Sequence, residues 1–364
     1  MEVPLRQRGS RRRIPLNSTD EVWGRDEAGR AVHRITLTGG GGARAVVSTF
    51  GATLQGLWLP DARGALADVV LGFDTLAPYL GDHPFFGSTI GRYANRIARA
   101  RFELLGEPFA LTRNDGLNHL HGGPRGLHHQ TFAVEARDPS RASVTLFFQS
   151  ADGEEGYPGR LDVLVTYWLT GDALVLEYEA RTTRPTIVNL TNHAYFNLAG
   201  SGDVLAHELR IDADRVVPID AAGIPLGGVA PVEGTELDCR RGAPVRAYLD
   251  AGGPQLEAGR GLDHCWLLRR RSAGVERAAR LRDPASGRAL AVWTTEPGLQ
   301  IYTGNRLNGA HVGKGGVAYG PHAGICLEAQ HLPDSPHHME FPSTTLLPAE
   351  TYTQRTEYRF STER

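Results

Sequence analysis

Two stretches of the chain carry side chains able to move protons. The first, TNHAYFNLAG (Thr191–Gly200), sets His193 among two asparagines and two aromatics. Read as a strand, it puts Asn189, Thr191, His193 and Tyr195 on one face, with Leu190, Asn192, Ala194 and Phe196 on the other. The first face has the composition of a wet cleft floor; a packed layer would carry Val, Ile and Leu there. The second stretch, GICLEAQHLPDSP (Gly324–Pro336), places Glu328 at the end of an apolar strand. Ile325 and Leu327 face the core, and Cys326 and Glu328 point the other way. A lone histidine of this kind is ordinarily structural, held by neighbouring amides, and a lone carboxylate is ordinarily an arginine's partner. Together they form a candidate acid–base pair.

Four further stretches offer donors and acceptors suited to hydroxyl groups. In GSTIGRYANRIARARF (Gly87–Phe102), Asn95 and Arg96 join an amide to a guanidinium fork where a strand would turn. Arg99 and Arg101 are expected on a solvated face. In NDGLNHLHGGPRGLHHQTF (Asn114–Phe132), the HGG sequence sets His121 beside glycines whose missing Cβ lets backbone approach a ligand. GLDHCWLL contributes Asp263 and His264, and EPGLQIYTGN contributes Gln300, Tyr302 and Asn305, polar groups among apolar and aromatic ones as in carbohydrate sites. His119/His121 and His128/His129 are near neighbours, yet no third ligand of convincing spacing joins them and no HExxH or Cys/His pattern occurs. No metal is expected. GAHVGKGG, around Lys314, is one residue short of a phosphate-binding P-loop and lacks its Ser/Thr.

These residues need strands to hold them. HRITLTG, ARAVVSTFGA, ADVVLGF, SVTLFFQS, RLDVLVTYWLT, ALVLEYEART and HELRIDADRVVPI are short runs rich in Val, Leu, Thr and aromatics, separated mostly by Gly, Pro, Asn or Asp. AGVERAARL is at most a short attempt at a helix. With 44 glycines and 22 prolines in 364 residues, the chain reads as one large all-β sandwich or barrel-like domain over residues 26–364. Residues 1–25, with Arg6, Arg8 and Arg11–Arg13, read as a disordered basic arm. A hydrophobic content of 41%, a charged content of 22% and a net charge of −2 are those of a soluble globular protein, with no electrostatic pull toward nucleic acid or membrane. Cys239, Cys265 and Cys326, widely spaced and odd in number, read as reduced thiols of a cytoplasmic protein.

From about Trp23 to Phe360 the chain resembles the aldose 1-epimerase (galactose mutarotase) family. GRYANRIARARFEL, HLHGG, TNHAYFNLAG, LDHCWLL, EPGLQIYTGN and LEAQHLPDSPHHMEFPSTTLLPAETY occur in family order. The resemblance implies a large two-sheet β-supersandwich acting on a monosaccharide without a cofactor, as monomer or homodimer. It implies His193 as general acid, Glu328 as general base, and Asn95, Arg96, His121, Asp263 and Gln300 as sugar contacts. A hexose-phosphate 1-epimerase or a non-catalytic sugar-binding protein on the same fold are the alternatives. The loop after Gly123 departs from the family pattern. Across one sugar ring, the carboxylate is expected to raise the pKa of His193 and the imidazolium to lower that of Glu328.

Overall fold

A computed structural model describes residues 17–363. Alternation of apolar and polar side chains builds the largest sheet. In Leu161–Leu169 (LDVLVTYWL), Leu161, Val163, Val165, Tyr167 and Leu169 are buried and the residues between them are half-buried, as a two-residue period requires. This strand pairs with Ala173–Thr182 along its whole length, and hairpins continue outward to Ser143–Ser150 and Ala133–Asp138. On the other side, the C-terminal strand Tyr352–Thr362 inserts between Ala173–Thr182 and Arg288–Thr294. Glu276–Arg282, Glu208–Ile211 and Ala243–Pro244 complete nine antiparallel strands.

A second sheet runs in the order Tyr195–Phe196, Ile325–Gln330, Gly298–Tyr302, Asp263–Leu267, Arg215–Val217, Ala230–Pro231. A third takes five strands in chain order, from Asn17–Arg25 to Leu66–Asp68. The three sheets share one core. Val163, Val165 and Leu174 come from the first, Leu299, Ile301 and Leu327 from the second, and Ile35, Leu37 and Leu54 from the third. Each such side chain contributes about 1.5–3 kcal/mol on burial. The all-β sandwich reading therefore holds. Among the described residues, helices are confined to Ala77–Leu80, Val245–Asp250, Pro254–Gly259 and a few single 3-10 turns. No described helix is long and apolar enough to cross a membrane.

Several local expectations are corrected. Residues 17–25 are not a disordered arm: they form a strand paired with Ala31–Thr38, from Asn17 opposite Thr38 to Arg25 opposite Ala31. The strand is largely exposed, and polar cross-strand pairs such as Asp20–His33 (2.8 Å) help hold it, so apolar periodicity gives no sign of it. Arg6, Arg8 and Arg11–Arg13 lie outside the described residues. AGVERAARL is not helical but contributes most of the strand Glu276–Arg282, with Ala278, Ala279 and Leu281 buried. HELRIDADRVVPI divides into Glu208–Ile211 and Arg215–Val217, which join different sheets. All three cysteines are free and buried.

Candidate active site

The second sheet supplies the floor of the site. Leu299, Ile301, Ile325 and Leu327 pack into the core, so alternation turns Gln300, Tyr302, Cys326 and Glu328 to the opposite face. Register brings these into one patch: Gln300 sits opposite Glu328, and Tyr302 opposite both Cys326 and Asp263. The Gln300 amide donates to Asp263 Oδ1 at 2.8 Å, which leaves Gln300 Oε1 as a buried acceptor without a protein partner. Glu328 Oε2 is a second such acceptor. Buried acceptors of this kind are matched to hydroxyl donors.

His193 enters from a different element. TNHAYFNLAG is not one strand: Thr191–Asn192 pairs with Thr89–Ile90, and Tyr195–Phe196 pairs with the Glu328 strand. His193 lies between the two pieces, its N–H donating to the Ser88 carbonyl and its carbonyl accepting from Gly87 N–H, both at 2.9 Å. Its Nε2 is 3.7 Å from Glu328 Oε1, with the two side chains only 6% and 2% exposed. Its Nδ1 is 3.5 Å from Cys326 Sγ.

One wall is built from strained backbone. Asn95 (φ 64°) and His121 (φ 53°) both adopt left-handed conformations, which ordinarily cost a non-glycine residue about 1 kcal/mol or more. They brace each other. His121 N–H donates to the Asn95 carbonyl (3.0 Å), and Asn95 N–H donates to His121 Nδ1 (3.1 Å). Because Nδ1 accepts, the neutral His121 ring carries its proton on Nε2 and is a donor there. Arg96, buried, is held by Asp115 through Nε–Oδ2 at 2.7 Å. The glycines of HGG act otherwise than expected: a Cβ on Gly122 would lie 1.9 Å from the Gly91 carbonyl oxygen, so the missing side chain admits protein backbone and not a ligand.

These walls enclose a cleft of about 400 Å³ lined by Glu328, His193, Asn95, Arg96, His121, Asp263 and Gln300. The seven residues to which the family resemblance points thus meet in one place, and Tyr302 joins them. Asn305 and His264 do not: the Asn305 amide donates to the Gly259 and Leu262 carbonyls, and His264 Nδ1 accepts from Asp263 N–H. Arg99 and Arg101 are exposed, as anticipated. Asp82, His83, Phe85, Arg306 and His311 also line the cleft and were missed. The density of rings in DHPFF, close before Asn95, was the available signal. Phe85 lies against the rings of His121 and His128, at centroid separations of 4.8 and 4.9 Å. His119 is structural, bonded to the Thr112 carbonyl and the Tyr157 hydroxyl at 2.6 and 2.7 Å. His193, Cys326 and Glu328, by contrast, each bring a possible metal-ligand atom within 4.8 Å of the others, a grouping that sequence spacing hid.

Burial dominates the electrostatics. It pushes the Glu328 carboxyl well above the usual range, with Asp263 adding to the effect and Arg96 opposing it. It pushes His193 down to about 4, partly offset by the residue's own backbone carbonyl. His121 is driven well below its ordinary value by burial and by the neighbouring His193 and Arg96. The expected directions for Glu328 and His193 are therefore reversed. For groups buried this deeply the cost of an isolated charge outweighs the attraction between partners. The pair favours a protonated carboxyl beside a neutral imidazole.

A buried carboxyl–imidazole pair within polar and aromatic walls defines an acid–base cleft on an antiparallel β-sandwich. Residues 33–359 match the family model described as aldose 1-epimerase, and the chain belongs to that family. It is 44% identical to mouse (Mus musculus) galactose mutarotase over 317 residues, 86% of this chain and 90% of the relative. It is 37% identical to the aldose 1-epimerase of Escherichia coli (strain K12), covering 92% of this chain and 97% of that one. The crystal structure of galactose 1-epimerase from Lactobacillus acidophilus superposes with a TM-score of 0.84 at 30% identity, covering 96% of this chain and 100% of the other. The fold is thus that of the mutarotase-like β-sandwiches.

Proposed function

We propose that the chain interconverts the α and β anomers of free aldohexoses of the glucose and galactose type. Glu328 takes the proton of the anomeric hydroxyl while protonated His193 delivers one to the ring oxygen. The C1–O5 bond breaks, the aldehyde turns about C1–C2, and closure from the other face returns both protons with the two groups exchanging roles. Each acid or base contribution is worth ~10²–10⁴-fold. There is no net oxidation and no group transfer, and the steps call for no cofactor.

The observation that carries this reading is the 3.7 Å approach of His193 Nε2 to Glu328 Oε1 on the floor of the cleft. The pair holds one transferable proton, and a neutral pair and an ion pair have the same proton count. Hydroxyl donors of a bound sugar, with Arg96 nearby, favour the carboxylate and send the proton to His193. Asn95, Arg96, His121, Asp263 and Gln300 orient the ring through donors and acceptors already braced by protein. A hexose-phosphate substrate is less well supported. The Arg92 guanidinium is bound to the carbonyls of Ser150, Ala151, Pro158 and Gly159, and Arg96 is held by Asp115. Both the acid and the base are present, which favours an enzyme over a passive sugar binder. The free, buried thiols fit a reducing, cytoplasmic setting.

The test is polarimetry of freshly dissolved α-glucose and α-galactose with purified protein, with and without EDTA. Approach to anomeric equilibrium is expected to accelerate in proportion to protein and to be indifferent to the chelator. Acceleration of neither sugar overturns the reading; loss of activity in EDTA, restored by a divalent ion, overturns the metal-free mechanism.

A further inference from the structure

Cys326 is buried on the same strand face as Glu328, two residues before it, and the two side chains reach opposite edges of one imidazole. Glu328 Oε1 is 3.7 Å from Nε2 of His193, and Cys326 Sγ is 3.5 Å from Nδ1. The sulfur is the side-chain group recorded at hydrogen-bonding distance from Nδ1, and the residue's own backbone carbonyl also acts on the ring. Tyr195, opposite Cys326 in register, adds a side-chain hydrogen bond to the sulfur from the adjoining strand.

We propose that Cys326 is a positioning residue whose sulfur accepts the His193 Nδ1–H and so keeps the Nε2 lone pair directed at Glu328 and the sugar. The proposal rests on the reading of His193 as the acid of the epimerase. Two directions of the S···Nδ1 contact are chemically open. If the thiol donated to Nδ1, the neutral ring would carry its proton on Nε2 and could not take one back when the sugar ring closes. If Nδ1–H donates to sulfur, Nε2 is free to accept and then to donate. Only the second arrangement lets the pair complete a cycle.

The choice of sulfur has its own consequence. A carboxylate that accepts from the far nitrogen of an imidazole makes the ring more basic, because its charge favours the imidazolium. A thiol sulfur is a weak acceptor, so it fixes the ring's orientation and proton position while leaving the imidazolium a strong acid. That suits a group that must protonate a feebly basic ring oxygen. Burial and the nearby carboxyls of Glu328 and Asp263 keep the thiol protonated, so the sulfur brings no charge of its own.

The experiment combines kinetics with ¹⁵N NMR of the histidine rings in wild-type protein, Cys326→Ala and Cys326→Ser. In wild type, the neutral His193 ring is expected as a single Nδ1–H tautomer, bonded at that nitrogen. Cys326→Ala should convert it to a mixture of tautomers and lower kcat by at least ~10-fold, within the range of a general acid's contribution, with KM changed less than about twofold. Cys326→Ser, which restores an acceptor at that position, should recover the single tautomer and most of kcat. An Nε2–H tautomer in wild type, or an Ala variant with wild-type kcat and an unchanged tautomer, overturns the proposal. The wild-type spectrum and the Ser variant decide it even if Cys326→Ala folds poorly. Failure of the underlying reading is separately visible: no acceleration of either sugar by wild-type protein removes the epimerase, and wild-type turnover in His193→Asn removes His193 as its acid, whereas the tautomer is read without turnover.

Discussion

His193 Nε2 and Glu328 Oε1 face each other at 3.7 Å, and both side chains are buried at the floor of the cleft. Burial raises the carboxyl and lowers the imidazole to about 4. Between those values the pair holds one transferable proton. Below about 4 a second proton enters at His193 and no base is left. As pH rises through the elevated Glu328 pKa, the single proton is lost and no acid is left. A bell-shaped kcat/KM profile is expected, with its acid limb near pH 4 and its alkaline limb set by the carboxyl. NMR of the sugar-free protein near pH ~6, just under the ordinary histidine value, should find His193 neutral; an imidazolium there would contradict the burial argument.

Glu328→Gln retains the side chain's shape but cannot accept a proton, and His193→Asn removes the acid. Each should lower kcat by ~10²-fold or more while leaving the melting temperature nearly unchanged. Arg96→Ala should weaken binding as well as rate. Turnover of Glu328→Gln at about half the wild-type level would show that the base is misassigned.

Asp115 has no place among the residues suggested by sequence, yet it holds the Arg96 guanidinium at 2.7 Å. A charge-assisted hydrogen bond of this kind is worth about 1.5–3 kcal/mol. Asp115→Ala should therefore raise KM by roughly 10-fold or more, with a smaller effect on kcat. A KM within twofold of wild type would mean that Arg96 keeps its position unaided.

Truncation through Arg25 removes a strand that pairs along Ala31–Thr38. A loss of a few kcal/mol is expected, which at roughly 2 °C per kcal/mol for a large chain lowers the melting temperature by about 5 °C. Calorimetry showing a shift below about 1 °C would mean that the strand contributes nothing to the fold. Activity should survive, because Asn17–Arg25 contributes no residue to the cleft.

Residue types and local order by themselves determined the all-β architecture, because two-residue alternation such as that of LDVLVTYWL survives in any long pairing of strands. They also marked the candidates for chemistry, since polar groups at apolar-strand positions stand out without any coordinates. Glu328 and His193 were legible in that way. Asn95, Arg96 and His121 stood out beside a turn or glycines, and Asp263 and Gln300 among apolar and aromatic residues. The family resemblance joined them into one set, all of which lines one cleft. The N-terminal strand was not legible, because an exposed edge held by ladder bonds and polar pairs has no apolar period. Only the tertiary structure decided how His193 meets Glu328: the break between Thr191–Asn192 and Tyr195–Phe196 sends one histidine between two sheets. The neighbours supplied from distant segments, Asp115 under Arg96 and Cys326 beneath His193, were likewise invisible in the sequence. Proton affinity was decided there too, because desolvation depends on everything packed around a group and not on the residues beside it in the chain.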